Sequence, residues 1–351
     1  MAKRAKFWQC EIIAKDDLLD ESGDLIRAGY ARQPYLKYQR RFIRAKKSRI
    51  KEWDYYLIYN NKGAVALTVD DNGYMGMLSA SVINFENATE TTKSKIKWFT
   101  YGKMNLPESS IKGDVNYEDK KIQASFKIDP KTKNREIKYF WKNFKDKKDL
   151  SVSITLTDEP KESMNIATPF EKPKHFYYNR KIIGFKASGK VMLGEDVVLD
   201  FGDEAYGLLD WGRGVWTYKN TWIWGALMME VEGHMLGVNL GYGFGDPRFA
   251  TENMAFYDGI ATKLENINVD FNTKNGKDDY NSAMEVTSSD GRFNAIFTPL
   301  IDRYANTDLI ILGSCQHQVF GLFNGSVTLQ NGEVIPITNA YGFIEKVKNK
   351  W

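Results

Sequence analysis

The chain has 351 residues, of which 42% are hydrophobic and 27% charged, a composition ordinary for a globular protein and a length sufficient for two hydrophobic cores. No apolar run approaches the roughly 18 residues of a membrane-spanning helix, and the two cysteines, Cys10 and Cys315, are too few for a disulfide framework. The N-terminus lacks the apolar core of a secretory signal, so we expect a cytoplasmic protein with free thiols.

Basic charge is concentrated in the first part of the chain. Residues 1–150 contain 31 Lys and Arg against 20 Asp and Glu, a net charge of +11, whereas residues 151–351 contain 18 against 25, a net charge of −7. The basic segment, residues 37–51, has eight basic residues and no acidic one. It is either a patch that docks on an anionic membrane or a solvated strap across the outside of a barrel. The residues expected to contact an anionic surface are Arg40, Arg41, Lys46 and Lys47.

Residues 1–52 are predicted to form an irregular N-terminal segment with one strand at residues 7–14. From residue 53 onward, short runs rich in Val, Ile, Thr, Tyr and Phe alternate with turns that contain Asn-Gly, Asp-Gly and similar pairs. The turns recur at close to the roughly 8–12 residues expected of a sandwich or barrel, and no long segment shows a helical period. These patterns predict an all-β protein.

An internal repeat divides the β region. Residues 183–210 and 320–345 each contain a strand, a turn, a second strand and a closing strand with the pattern Ala-Tyr-Gly, two apolar residues and an acid. Two similar closing strands predict two antiparallel barrels that end in the same way. We expect a first barrel at residues 53–212 and a second at residues 213–351.

The sharpest chemical feature is the stretch 210–224. It contains four of the nine tryptophans, and its only charges are Asp210, Arg213 and Lys219. One interpretation is a pocket in a hollow second barrel, in which indoles raise the pKa of Asp210 and Arg213 lowers it. A protonated Asp210 could then transfer a proton to a C=C bond or an oxygen. The alternative is a structural Asp–Arg pair with tryptophans filling the core. The indoles assigned to the pocket wall are Trp216, Trp222 and Trp224.

Several polar residues in otherwise apolar strands are further candidates. Asn239, Glu252 and Asn253 could orient a water or a ligand carbonyl inside the barrel, or they could make hydrogen bonds at strand ends. His317, followed by Gln318, is the best general acid or base among the three histidines, and the alternative is a histidine with a structural partner.

No cofactor or metal is expected. The histidines lack metal-ligand spacing, and the glycine-rich stretch 237–245 lacks both the Lys-Ser/Thr pair and the helix of a phosphate loop.

The motifs DWGRGVW, TWIWGA, GVNLG, TENMAFYDG and HQVFGLFNG, with a terminal Trp, resemble the DUF2804 family of uncharacterised proteins from about residue 25 to the end. That family is similar in architecture to the carotenoid 1,2-hydratase and AttH group. The resemblance implies two tandem lipocalin-like antiparallel β-barrels. Many family members carry a cysteine pair near the N-terminus, where this chain has only Cys10, so a metal knuckle is not expected.

These features predict a lipocalin-like protein that binds a large apolar small molecule, such as an isoprenoid or an acyl lipid. Its chemistry would be cofactor-free acid–base catalysis of the hydratase, isomerase or cyclase type. Asp210 and His317 are the predicted catalytic residues. The predicted ligand-binding residues are Arg213, Trp216, Trp222, Trp224, Asn239, Glu252, Asn253 and Gln318. The alternative is a non-catalytic protein docked on the inner membrane surface through the basic segment, and nucleic-acid binding there is less favoured.

Overall fold

The computed structural model describes residues 9–202, 204–308 and 313–350, which form an almost entirely β structure. Two short 3-10 helices, Arg40–Phe42 and Lys47–Arg49, precede the fourth strand. The strands in chain order are β1 (Asp16–Asp17), β2 (Gly29–Ala31), β3 (Leu36–Lys37), β4 (Ile50–Tyr59), β5 (Gly63–Asp71), β6 (Met75–Asn84), β7 (Thr89–Trp98), β8 (Val115–Glu118), β9 (Ile122–Ile128), β10 (Arg135–Lys145), β11 (Lys148–Thr157), β12 (Met164–Pro169), β13 (Phe176–Leu193), β14 (Asp196–Phe201), β15 (Tyr206–Val215), β16 (Lys219–Val231), β17 (His234–Tyr242), β18 (Met254–Tyr257), β19 (Ile260–Lys263), β20 (Ile267–Asp270), β21 (Thr273–Lys274), β22 (Lys277–Asp278), β23 (Met284–Ser288), β24 (Phe293–Asp308), β25 (Gly313–Thr328) and β26 (Val334–Lys350).

Two large antiparallel sheets make up the fold, and they confirm the predicted all-β class with two lipocalin-like half-barrels. The first sheet has 13 strands in the order β7-β6-β5-β4-β15-β13-β11-β10-β9-β8, with β12 and β14 paired to β13 and β2 paired to β12. The second has nine strands in the order β19-β18-β17-β16-β26-β25-β24-β23-β20. Each sheet curls around an apolar core of its own.

Burial along the strands shows which faces are covered. Strands β9, β10 and β11 alternate between buried and exposed residues, as expected when one face contacts the core and the other contacts water. Strands β4, β5 and β15 are buried almost continuously. Their inner faces line the first core, and their outer faces pack against the second sheet.

A third apolar cluster lies between the two sheets. It includes Tyr55 and Leu208 from the first sheet and Trp224, Phe320 and Phe343 from the second. The two half-barrels therefore pack back to back, and the space between the sheets is a third interior of the molecule.

The chain passes from the first sheet to the second between Val215, the end of β15, and Lys219, the start of β16. The predicted division of the barrels at residues 212 and 213 lies within β15 and stays a prediction. The predicted strand at residues 7–14 begins outside the described residues. Its described part contains only one isolated bridge, between Glu11 and Tyr30. Across the described ranges, no helix combines the length and apolarity needed to span a bilayer.

Candidate functional site between the sheets

Strand β15 presents Asp210 and Arg213 on opposite faces, because side chains alternate along a strand and the two positions differ by an odd number. Leu209 and Trp211 belong to the core of the first half-barrel, whereas Leu208 belongs to the cluster between the sheets. Asp210 therefore faces the second sheet, and Arg213 faces the first core.

Arg213 is fully buried and its partners all lie on the first-barrel side. It donates to Asp54 Oδ1 at 2.9 Å, to the carbonyl oxygen of Trp53 at 2.7 Å and to that of Pro107 at 2.8 Å. Its guanidinium also lies 4.1 Å from the ring centroid of Trp211. The expected Asp210–Arg213 pair is thus corrected to an Asp54–Arg213 pair, and Arg213 lies outside the inter-sheet cluster.

The partner of Asp210 is Lys181, which lies directly opposite it on β13. Lys181 Nζ is 3.0 Å from Asp210 Oδ2 and 3.5 Å from Glu252 Oε2, and it lies 4.0 Å from the ring centroid of Trp224. Asn179 donates to Asp210 Oδ1 at 2.5 Å. We call Lys181, Asp210 and Glu252 the charged triplet, and all three side chains are buried.

The charged triplet places one cation between two carboxyl groups in a water-poor setting. Burial raises the pKa of Glu252 above its ordinary value, against the opposing effects of Lys181 and Asn239. Asp210 accepts from both Lys181 and Asn179, contacts that stabilise a carboxylate. The arrangement therefore places a carboxyl group with a raised pKa, Glu252, beside the Lys181–Asp210 ion pair.

Asn239 and Asn253 hold the loop that carries Glu252 against the second sheet. Asn239 accepts from Trp224 Nε1 at 2.8 Å and donates to the carbonyl oxygen of Glu252 at 2.7 Å. Asn253 accepts from the Gly241 amide at 2.6 Å. Both asparagines are fully buried, so they position Glu252 rather than present free amides to the inter-sheet space.

A third buried carboxyl group of the inter-sheet space, Glu345, lies on β26. It accepts from Trp222 Nε1 at 3.1 Å and from Gln318 Nε2 at 3.2 Å. Burial raises its pKa. Glu345 occupies the place in the second copy of the internal repeat that Asp210 occupies in the first, and this repeat was the one sequence signal that pointed to it. Lys181 carried no such signal.

Aromatic rings cover one end of the inter-sheet space. The centroid of Trp216 is 5.0 Å from that of Trp53 and 4.6 Å from that of Phe244, and Trp222 is 5.2 Å from Phe244. Trp216 is buried, whereas Trp53, Trp222 and Phe244 are half-buried. We call this set the aromatic mouth. The three predicted wall residues, Trp216, Trp222 and Trp224, thus lie between the sheets, which corrects the expectation of a hollow second barrel. The interior of that barrel is filled by an apolar core.

His317 lies away from the charged triplet. It faces the opposite side of β25 from Gln318, its Nδ1 is 2.7 Å from Asp302 Oδ2, and its ring stacks on Tyr280 at 3.8 Å. Tyr304 lies against it at 4.5 Å. The two predicted catalytic residues, Asp210 and His317, therefore do not meet. Asp210 extends from the first sheet into the inter-sheet space, whereas His317 projects from the other face of the second sheet.

Two of the four residues predicted for an anionic surface have partners in the chain. Arg40 pairs with the buried Glu52 at 2.8 Å, and Arg41 lies 4.9 Å from the ring of Phe42. Lys46 and Lys47 are exposed.

Two small cavities, each about 10 Å³, lie outside the charged triplet. One is in the first half-barrel next to Asp54 and Arg135, and the other is under the N-terminal segment next to Tyr35. Each has room for about one water molecule.

Two half-barrels packed back to back, with buried charge between them, define a protein of the tandem lipocalin-like type. Residues 9–351 match the family described as Domain of unknown function (DUF2804), and the chain belongs to this family. Comparison with curated proteins returned no match.

Solved structures that share the fold include a hydratase and an AttH protein. Kievitone hydratase from Nectria haematococca superimposes with a TM-score of 0.50 at 10% identity, covering 86% of this chain and 88% of that one. A putative AttH from Nitrosomonas europaea has a TM-score of 0.50 at 12% identity, covering 85% and 92%. At these identities the likeness shows the architecture alone, as the sequence resemblance implied.

Proposed function

We propose that the chain binds an apolar small molecule, isoprenoid-like or acyl-chain-like, between its two sheets. It would catalyse a cofactor-free acid–base reaction of the hydratase, isomerase or cyclase type on that molecule. The observation that carries the proposal is the charged triplet, buried against the face of Trp224 and next to the aromatic mouth. A buried carboxyl group whose pKa is raised by burial, next to a specific charged partner, is a frequent mark of a catalytic site.

Unsatisfied polar atoms support a ligand at this place. Within the described ranges, Asn179 Oδ1 and Gln318 Oε1 are buried and have no hydrogen-bond partner, and Glu252 Oε2 has only its 3.5 Å ion-pair contact with Lys181. Such atoms in a folded protein need an explanation, and a bound polar group or water is the usual one. All three lie on side chains that face the inter-sheet space, so a ligand carrying one oxygen on an apolar body would fit their chemistry.

The proposed reaction is clearest for hydration of a C=C bond. Glu252 gives its proton to one carbon, the face of Trp222 stabilises the cation that forms on the other, and water attacks that cation. Asp210 takes a proton from the attacking water. Lys181 stabilises the charge on whichever carboxyl group is ionised, and return of the proton from Asp210 to Glu252 resets the site. His317 has no step in this scheme, since it lies elsewhere.

Ligand access is through the aromatic mouth. The half-buried rings of Trp53, Trp222 and Phe244 must rotate to admit a ligand, because the rings are in mutual contact without one. The hydratase among the structures with this fold supports a hydration reaction by analogy of architecture only.

Binding is tested with defined probes. Farnesol and oleic acid, added separately, should change the tryptophan fluorescence, and native mass spectrometry of gently extracted protein should show a bound apolar molecule. Trp222→Ala and Phe244→Ala should weaken binding roughly tenfold, since each removes a large aromatic contact. Tyr304→Ala, an exposed aromatic of the second sheet, is the control. A ligand-free mass together with unchanged fluorescence would contradict the proposal.

Catalysis is tested by supplying the bound molecule, once identified, in heavy-oxygen water and following label incorporation by mass spectrometry. Glu252→Gln and Asp210→Asn should lower the rate by about 10²–10⁴-fold, the usual contribution of a general acid or base. Asp54→Asn is the matched control, because Asp54 is also buried and ion-paired but faces the first core. Full activity in folded Glu252→Gln protein would rule out the assigned role.

Docking on an anionic membrane through the basic segment alone is the less favoured function. Arg40 is tied to Glu52, and the exposed Arg41 lies against the ring of its neighbour Phe42. Within the described residues, Lys46 and Lys47 are the two of the four that form neither contact. Two lysines alone give about 2 kcal/mol of attraction to an anionic leaflet, which is too little for stable docking.

A further inference from the structure

Four large apolar side chains are exposed together where the edge strand β7 ends. Ile96 is 46% exposed, Trp98 53%, Phe99 63% and Tyr101 41%. The rings of Phe99 and Tyr101 stack with centroids 6.1 Å apart. We call these four residues the aromatic corner. Scattered single apolar residues on a surface need no explanation, but a contiguous exposed group does.

The backbone of the aromatic corner is fixed. Phe99 and Tyr101 have φ of 59° and 49°, a left-handed conformation that is unfavourable for bulky residues. The Phe99 amide donates to the Tyr74 carbonyl at 2.6 Å, and the Tyr101 amide donates to the Gly73 carbonyl at 2.7 Å. Between them, buried Thr100 donates to Asp71 Oδ1 at 2.8 Å. The turn is thus anchored by its polar middle residue while the two aromatic rings are held outward.

Unpaired lysines adjoin this corner. Gly73, whose carbonyl accepts from the Tyr101 amide, lies against the short helix that carries Lys47. A Cβ added to Gly73 would be 2.4 Å from the carbonyl oxygen of Lys47. Lys46, Lys47 and Lys103 are exposed. In the part of the chain that the structure describes, none of the three forms an ion pair, and Asp71 is buried and bonded inward.

We propose that the aromatic corner and these three lysines dock this end of the first half-barrel on an anionic lipid surface. Aromatic rings with an apolar body and a polar edge prefer the headgroup region of a bilayer. Each lysine near an anionic leaflet adds about 1 kcal/mol of attraction, and one such signal alone is marginal. The corner supplies the apolar contact that the basic segment lacks.

The charge pattern favours lipid over a second copy of the chain. Two copies related by a two-fold axis through the aromatic corner would bring the same three lysines toward each other, and like charges at an interface are unfavourable. An anionic lipid surface instead neutralises them.

The docked orientation would also bring the aromatic mouth close to lipid. Ile96 pairs with Met77, Met77 with Asp70, and Asp70 with Trp53, so the corner and the mouth are three strand spacings apart, about 14 Å. This last step rests on the proposed function, whereas the docking itself does not.

The test is flotation of the purified full chain with phosphatidylcholine vesicles, with and without phosphatidylserine. The wild-type protein should float with the anionic vesicles, less so in high salt. The triple variant Trp98→Ser, Phe99→Ser, Tyr101→Ser and the triple variant Lys46→Glu, Lys47→Glu, Lys103→Glu should each lose more than about tenfold in partitioning.

A third triple variant is the matched control. Ile260→Ser, Tyr304→Ser and Val334→Ser replace side chains that are 52%, 52% and 59% exposed on the second sheet, and this protein should float as the wild type does. Circular dichroism and thermal midpoints establish that each variant is folded. Absent flotation of the wild type, unchanged flotation of the aromatic variant, or dimers in gel filtration that the aromatic variant abolishes would overturn the proposal. Glu252→Gln should float normally, which separates docking from the proposed reaction.

Discussion

Asp70 is a buried carboxyl group that links the stability of the first sheet to pH. Burial raises its pKa to about 7, although its Oδ1 accepts from the Met77 amide at 2.7 Å. An aspartate in an unfolded chain titrates near pH 4. Between about pH 4 and 7 the folded protein therefore holds a proton that the unfolded chain has lost, and stability falls as pH rises through this window.

Replacing Asp70 by Asn should remove the fall in stability with rising pH, because the amide keeps an acceptor for the Met77 amide and has no charge to bury. Relative to the variant, the wild type should lose on the order of 2–4 kcal/mol of unfolding free energy between pH 4 and 7. Urea unfolding at several pH values measures the difference. Glu136→Gln, an exposed change in the same sheet, serves as control. Parallel curves for wild type and Asp70→Asn would refute the linkage.

Among the residues between the sheets, some could be selected from the sequence and others could not. Asp210, Trp224, Asn239 and Glu252 could be selected as candidates because polar residues in apolar strands and a run of indoles are visible in the sequence. The structure places these four residues close together. Lys181 was not foreseen. It lies 29 residues before Asp210 in the chain, and only the antiparallel pairing of β13 with β15 places them opposite each other.

Among the elements, β15 shows most clearly how one strand serves two interiors. Leu209 and Trp211 fill the first core, while Leu208, Asp210 and Gly212 face the second sheet. A strand buried on one face has an alternating pattern that reveals its inner side. A strand buried on both faces has none, which is why the Asp210–Arg213 pair was expected although the two side chains point apart.

Gly212 is required on this strand by the indole of Trp53. A Cβ at Gly212 would lie 1.9 Å from the ring of Trp53, far inside van der Waals contact. Gly212→Ala should displace that indole, alter the near-ultraviolet circular dichroism and cost roughly 1–3 kcal/mol of stability, the usual effect of overpacking. Gly202→Ala is the control, since a Cβ there meets nothing within 4 Å. Equal thermal midpoints for the two variants would show that the indole has room to move.

The whole molecule is held together by the packing of one sheet on the other. Tyr59 of the first sheet accepts from the Met228 amide at 2.6 Å and donates to the Tyr341 carbonyl at 2.7 Å, and both of these belong to the second sheet. The β class, the repeat and the two half-barrels could be predicted from strand spacing and turn residues. The back-to-back packing could not, because it depends on which faces remain apolar after each sheet has curled.

Tyr59→Phe should test this packing. Removing the hydroxyl leaves a buried amide and a buried carbonyl without a partner, which costs about 1–3 kcal/mol. Urea unfolding followed by fluorescence and by far-ultraviolet circular dichroism should give one shared transition, shifted to lower urea. The exposed Tyr304→Phe should leave the transition where it is. Two separate transitions in the wild type would show that the half-barrels unfold independently.

The internal repeat has a consequence for assembly. Each copy ends in a strand that places one carboxyl group, Asp210 or Glu345, in the space between the sheets. Lys181 and Glu252, which contact each other there, come from different halves of the chain. Halves produced as separate polypeptides would each hold only part of the charged triplet. A molecule bound between the sheets would then contact both fragments, and raising its concentration would strengthen their association by mass action.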